Sequence, residues 1–148
     1  MQGNRQSSTK VVFAGSFDPF HEGHRNIVER ALNIFGKVII GVGVNPEKNY
    51  LLTPDERVKR IKQLYKNDPR VEVEAYSGLT IDFARNHNAA VIVKGVRNSE
   101  DFEYEKQQAE WNQTYGGIDT VLLVADAMYE NISSTSVREK MENKDNKQ

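Results

Sequence analysis

Lys10-Val11-Val12-Phe13-Ala14 runs directly into Gly15-Ser16-Phe17-Asp18-Pro19-Phe20-His21-Glu22-Gly23-His24, and the residues that follow carry a helical period. An apolar run, a glycine-bearing loop and a helix start make a strand, loop and helix unit. Backbone N–H groups of such a turn, the imidazoles of His21 and His24 and a helix N-terminus converge on one small volume, an arrangement suited to phosphate. Over residues 23–35, Ile27, Val28, Ala31, Leu32, Ile34 and Phe35 share one face while Arg25, Glu29 and Arg30 point away, so that face packs on a sheet.

Working outward, short runs rich in Val or Ile recur at residues 37–44, 71–75, 89–94 and 120–124, and with 10–14 they read as buried strands. Helical stretches fall between them. Thr53-Pro54-Asp55-Glu56 opens one, with Thr53 as cap, Pro54 at the first helical position, Glu56 completing a capping box, and Val58, Ile61, Leu64 and Tyr65 on its apolar face. Others are expected over 80–86, 99–115 and 134–141. Strict alternation predicts an α/β fold: a single-domain, Rossmann-like, doubly wound sheet of about five parallel strands with helices on both faces. In such a sheet ligands bind beyond the C-terminal strand ends. Ser16, His24, Lys48, Lys94, Arg97 and the segment 133–138 all follow strands, so one cleft can collect them. The domain is expected over 10–141, with 1–9 a flexible segment and 142–148 a frayed polar tail.

Composition narrows the function. With 20 basic and 21 acidic residues the net charge is -1, so no chain-wide positive field argues for nucleic acid or an anionic membrane. Any anion is bound locally. No cysteine is present, which removes disulfides, thiolate zinc sites and cysteine nucleophiles. No apolar run approaches a membrane span and no signal-peptide pattern opens the chain, so the cytoplasm is the expected compartment.

Other motifs have competing readings. His21-Glu22-Gly23-His24 can be read as a metal pair, but its spacing is i to i+3, Gly23 weakens a helix there and no third ligand is evident, so no metal site is assigned. It can also be a surface turn; phosphate binding is preferred. Ile132-Ser133-Ser134-Thr135-Ser136-Val137-Arg138 supplies a helix cap, yet its four consecutive hydroxyls ahead of an arginine exceed what capping needs. Lys94-Gly95-Val96-Arg97 sets two cations about a glycine at a strand end. Asp101 and Glu103 are accounted for as first-turn acids that complement a helix dipole. Tyr104, Trp111 and Tyr115 read as core or subunit contact.

Together, Gly15-Ser16-Phe17-Asp18-Pro19, His21-Glu22-Gly23-His24, Lys94-Gly95-Val96-Arg97, Asp101-Phe102-Glu103-Tyr104-Glu105 and Ile132-Ser133-Ser134-Thr135-x-x-Arg138 resemble the bacterial phosphopantetheine adenylyltransferases of the HxGH nucleotidylyltransferase superfamily. The resemblance implies transfer of AMP from ATP to 4'-phosphopantetheine, with Mg2+ carried by ATP, giving dephospho-coenzyme A and pyrophosphate; coenzyme A is a further expected ligand and a homo-hexamer the expected assembly. It implies a catalytic set of His24, Lys48 and Arg97. Ser16, Lys48, Thr80 and Lys94 would meet the phosphopantetheine side. Ser16, Phe17, His21, His24, Gly95, Val96, Arg97, Glu105, Tyr129, Glu130, Asn131, Ile132, Ser133, Ser134 and Thr135 would surround ATP. Lys94 stands where the family often has arginine, keeping the charge and losing the planar fork. Alternatives are a sister nucleotidylyltransferase with another phosphate acceptor, or a nucleotide sensor without turnover.

Overall fold

The computed structural model describes residues 9–146, so the expected flexible segment lies outside the described residues except for Thr9, which belongs to the first strand. The elements in chain order are β1 (Thr9–Gly15), α1 (Glu22–Phe35), β2 (Gly36–Gly43), α2 (Pro54–Leu64), β3 (Val71–Tyr76), α3 (Thr80–Asn86), β4 (Val91–Val96), α4 (Ser99–Gly116), β5 (Asp119–Val124) and α5 (Ser134–Asn146). A short 3-10 turn covers Ala127–Tyr129. Helix α5 runs past the expected end at Met141, so most of the stretch assigned to a polar tail is helical; residues 147 and 148 lie outside the described residues.

Five strands form one sheet in the order β3-β2-β1-β4-β5, every neighbouring pair parallel. The winding reverses between β1 and β4. Right-handed crossovers therefore put α1 and α2 on one face and α3 and α4 on the other. The alternation of the strands sorts the core accordingly. Val11, Phe13, Val38, Ile40, Val42 and Val93 point to the first face, against Ile27, Val28, Ala31, Leu32 and Ile61. Val12, Ala14, Ile39 and Ile92 point to the second, against Ile81, Phe83 and Ala84. Each fully buried Val, Ile, Leu or Phe among them contributes about 1.5–3 kcal/mol.

Local chemistry sets the helix ends. Thr53 caps α2 through the Glu56 amide at 3.1 Å, with Pro54 in the first turn, as the sequence implies, but the Glu56 carboxylate meets the Thr53 hydroxyl rather than its amide. Gly36, at φ 93°, closes α1 in the left-handed conformation that glycine adopts without penalty. The apolar faces are narrower than periodicity suggests: Ile34 and Leu64 are exposed, at 53% and 48%, because only one stripe of α1 or α2 meets the flat sheet. Arg30, expected to point away, instead reaches the end of β5, donating to the Val124 carbonyl at 2.6 Å and pairing with Asp126. Glu105 is the one fully buried residue of α4, while Phe102, Tyr104, Trp111 and Tyr115 are exposed, so the aromatic residues of this helix are not core.

Candidate active site

Beyond the C-terminal ends of β1 and β4, at the reversal of winding, lies a cleft of about 310 Å³. Among the residues expected in a site, Ser16, Phe17, His21, His24, Lys94, Gly95, Arg97, Glu105, Tyr129, Ile132, Ser133 and Ser134 line it, joined by Asp101 and Arg138. Segments more than 100 residues apart in sequence thus share one wall, and the strand order is what brings them together. Gly95 lets the floor close: a Cβ there would stand 2.9 Å from Ile27 Cγ1, so a side chain would push α1 off the strand end.

The histidines are committed to one tautomer by the start of α1. His21 is the N-cap, its Nδ1 accepting from the Gly23 amide at 3.1 Å, and His24 Nδ1 accepts from the His21 amide at 3.1 Å. This is a capping box built from imidazoles in place of the usual serine and glutamate. Because each Nδ1 accepts, each neutral ring carries its proton on Nε2. The rings stack at 3.7 Å, and His24 is packed by Phe17 at 4.8 Å and Phe20 at 5.2 Å between centroids. Burial and the Arg97 charge lower His21 to a pKa of about 4; burial, then His21, Lys94 and Arg97, hold His24 well below its usual value. Both are neutral N–H donors at neutral pH.

The loop from β1 to α1 is held by its carbonyls. Ser16 O accepts from Arg57 Nη1 at 2.7 Å, Asp18 O from Arg138 Nη1 at 2.9 Å, and Pro19 O from Ser134 Oγ at 3.0 Å. The Asp18 carboxylate, 2% exposed, accepts from the Leu51 and Leu52 amides at 2.8 and 2.9 Å, tying the loop to the segment before α2. The Asp18–Pro19 peptide is cis. Phe17 has φ 51°, and its ring is buried between Phe13 and the edge of His24.

Two cations face the histidines, each attended by a carboxylate. Lys94 Nζ donates to the Ala14 carbonyl at 3.2 Å and lies 3.5 Å from the Glu105 carboxylate. Burial raises the pKa of Glu105 more than Lys94 lowers it. Arg97 is gripped by Asp101, whose carboxylate takes Nε at 2.8 Å, Nη2 at 3.1 Å and the Arg97 amide at 3.0 Å. These bonds with Arg97 hold the Asp101 carboxyl below its usual range. A 3.3 Å bond from Nη1 to the Ile132 carbonyl joins the last wall. These bonds use Nε–H and one N–H on each of Nη1 and Nη2, so each terminal nitrogen keeps one further N–H for a phosphate oxygen.

The hydroxyl run behaves differently from its expected surplus of free donors. Ser133 and Ser136 cap each other reciprocally at 3.1 Å, Ser134 holds Pro19, and Thr135 Oγ1 accepts from Arg138 at 3.0 Å. Capping, the Arg138 contact and the fastening of Ser134 to the β1–α1 loop together account for the run, and the Ser134 and Thr135 amides remain for an anion. Not every expected residue reaches the cleft. Lys48 lies on the exposed turn after β2, Thr80 at the start of α3 bonds Tyr76 Oη at 2.8 Å, Val96 is buried in the core, and Glu130, Asn131 and Thr135 stand outside the lining. Arg57, Asp18 and Asp101 escaped sequence reasoning. Only Asp101 had a legible signal, its i, i+4 spacing from Arg97.

Chemically, the cleft presents neutral N–H donors, three cations (Lys94, Arg97 and Arg138) and two helix N-termini, and each acid on its wall, Asp101 and Glu105, is paired with a cation. Among the described residues no cluster of His, Cys, Asp or Glu has the makings of a metal cage. The set suits a polyanion undergoing phosphoryl chemistry.

The chain is similar to known proteins in sequence and in fold. A cytidylyltransferase-like family model matches residues 12–140. Phosphopantetheine adenylyltransferase of Porphyromonas gingivalis is 47% identical over 129 residues, spanning 87% of this chain and 84% of that protein. Phosphopantetheine adenylyltransferase of Christiangramia forsetii is 42% identical over 132 residues, spanning 89% and 87%. A crystal structure of a bifunctional NMN adenylyltransferase/ADP ribose pyrophosphatase from Francisella tularensis superposes with a TM-score of 0.66 at 21% identity, covering 91% of this chain and 42% of that one, a likeness of fold. The chain belongs to the cytidylyltransferase-like family, and within it to the phosphopantetheine adenylyltransferases.

Proposed function

We propose that the protein transfers AMP from ATP to 4'-phosphopantetheine, releasing pyrophosphate and dephospho-coenzyme A, a step of coenzyme A synthesis. The observation that carries this reading is the pair of histidines whose Nδ1 atoms are spent on backbone amides, leaving neutral Nε2–H donors in a cleft shared with Lys94 and Arg97. A phosphate oxygen of the acceptor attacks the α-phosphorus. The bond from that phosphorus to the α,β-bridging oxygen breaks, and its electron pair leaves with pyrophosphate. A phosphate monoester is largely dianionic at neutral pH, its second pKa being about 6, so no general base is required. Alignment and charge stabilisation are required instead.

His24 Nε2–H donates to an α-phosphoryl oxygen as charge grows there. Lys94 and the remaining N–H donors of Arg97 neutralise phosphates on either side, and the N-termini of α1 and α5 add amide donors. Magnesium would arrive with ATP and offset triphosphate charge, in keeping with a cleft whose own acids are already paired. Lys48 and Thr80 follow β2 and β3, on the flank adjoining β1, which supports an acceptor-side role for both. Exposed Phe102, Tyr104, Trp111 and Tyr115 on α4 support a subunit contact, in line with a hexamer. No helix among the described residues is long and apolar enough to cross a membrane, which is compatible with a cytoplasmic enzyme. Dephospho-coenzyme A and coenzyme A are the further ligands of the same cleft.

The test is incubation of the protein with magnesium ATP and, separately, 4'-phosphopantetheine, nicotinamide mononucleotide or glycerol 3-phosphate, followed by product masses and pyrophosphate release. Dephospho-coenzyme A and pyrophosphate in equal amounts are expected with the first acceptor. Preferential adenylylation of another acceptor, or ATP binding without pyrophosphate release, overturns the proposal.

A further inference from the structure

Arg57, on α2, is 1% exposed and lies outside the cleft lining. Guanidinium groups stay charged in proteins, and burying one is costly unless it is paired. Here no carboxylate pairs with it among the described residues, and Nε and Nη2 have no hydrogen-bond partner. Its Nη1 serves two carbonyls, Ser16 at 2.7 Å and Gly43 at 3.0 Å, and the Tyr50 ring covers the group at 4.0 Å. A buried cation kept for two backbone carbonyls is a poor stability device, since an apolar residue of similar size often does as well or better. The carbonyl it holds is that of the phosphate loop.

We propose that Arg57 is a positioning residue for that loop, fixing the Ser16–Phe17 peptide so that the Phe17 amide is presented to the anion. The argument rests on peptide geometry and on the phosphate-binding reading of the cleft given above. The Ser16–Phe17 bond is trans, because the one cis bond among the described residues is Asp18–Pro19, and a trans peptide points its C=O and N–H in opposite directions. Anchoring Ser16 O on Arg57 therefore turns the Phe17 N–H away from the guanidinium, toward the cleft that Ser16 and Phe17 line. Phe17 at φ 51° is in a region that a bulky L residue occupies only when its surroundings impose it. Arg57 is the side chain bonded to the peptide that enters this residue.

The test compares the wild type with Arg57→Met, which keeps the apolar stem, and Arg57→Lys, which keeps the charge but lacks the guanidinium fork. Two readouts are taken besides thermal melting: the 15N–1H shift of the Phe17 amide on titration with α,β-methylene ATP, and kcat and KM for ATP. In the wild type the Phe17 amide should move on titration. In folded Arg57→Met that response should disappear and kcat should fall about 100-fold, the scale of a misplaced reacting group, with KM for ATP changing less; Arg57→Lys should recover part of both. A Met variant with the Phe17 response intact, or with kcat within about twofold per folded molecule, overturns the proposal. Should that variant melt below the assay temperature, the same readouts on Arg57→Lys decide, and wild-type behaviour there overturns it. The titration requires no acceptor, so failure of the adenylyl-transfer reading shows separately, as missing product in the wild type.

Discussion

His24→Asn separates the two tasks of one ring. Nδ1 of His24 accepts the His21 amide at 3.1 Å, a structural duty, while Nε2–H is the donor assigned to the α-phosphoryl group. Asparagine can retain the first acceptor through its carbonyl and is too short to supply the second donor. Losing one preorganised transition-state donor costs about 2.7–4 kcal/mol, which is roughly 100- to 1000-fold in kcat. Losing the cap acceptor as well, as in His24→Ala, removes about 0.5–2 kcal/mol of stability. The two variants should therefore lose turnover to a similar degree while differing in stability, with KM for ATP little changed in either. Steady-state pyrophosphate release alongside urea unfolding reads both quantities. Turnover restored by asparagine, or a KM for ATP rising in step with the loss of kcat, would refute the division, because the ring would then act through its cap or through ground-state binding.

Other consequences are equally specific. Asp101→Ala frees Arg97 from its grip, and KM for ATP should rise by about one order of magnitude, the worth of a charge-assisted bond of 1.5 kcal/mol, with a smaller change in kcat; an unchanged KM means Asp101 does not orient Arg97. Asp18→Asn should lower unfolding stability by about 1.5–3 kcal/mol, since the Leu51 and Leu52 amides donate to different carboxylate oxygens and asparagine keeps one oxygen while turning an NH2 donor toward the other amide, and denaturant titration checks it. For pH, His21 and His24 are lowered in the folded state, so between about 6.5 and 4 the unfolded chain binds more protons and stability falls as pH falls, which urea midpoints at pH 7 and 5 will show. The acid limb of kcat/KM should instead lie near pH 6, set by the acceptor phosphate, and should persist in His24→Asn.

Much of this site is legible in the sequence because strand periodicity places the loops. Each of the five strands sits within about two residues of its expected position, and parallel winding then forces Ser16, His24, Arg97 and Ser134 to one end of the sheet. What was not legible shares one physical character: a side chain serving a distant backbone group. Arg57 sits in a polar-looking helix and serves a carbonyl 41 positions away; Asp18 reads as turn chemistry and holds amides 33 and 34 positions away. A backbone acceptor is the same at every residue, so no pattern of residue types announces such a bond. The hydroxyls after Ile132 are numerous enough to suggest ligand donors, and each has a bond within the protein: Ser133 and Ser136 with each other, Thr135 with Arg138 and Ser134 with the β1–α1 loop. Ile34 and Leu64 fit the apolar period of their helices yet stand exposed, and the spacing of Tyr104, Trp111 and Tyr115 leaves core and subunit contact alike open, because periodicity alone cannot tell a core face from a contact face.

The central claim is that this cleft aligns two phosphates for a single displacement and contributes no nucleophile of its own. Its most direct test is the stereochemical course at the α-phosphorus, using one diastereomer of adenosine 5'-(1-thiotriphosphate) with 4'-phosphopantetheine and assigning the thio-product by 31P NMR. One in-line attack predicts inversion of configuration. Retention would contradict the account, because it requires a second displacement through an adenylylated protein side chain.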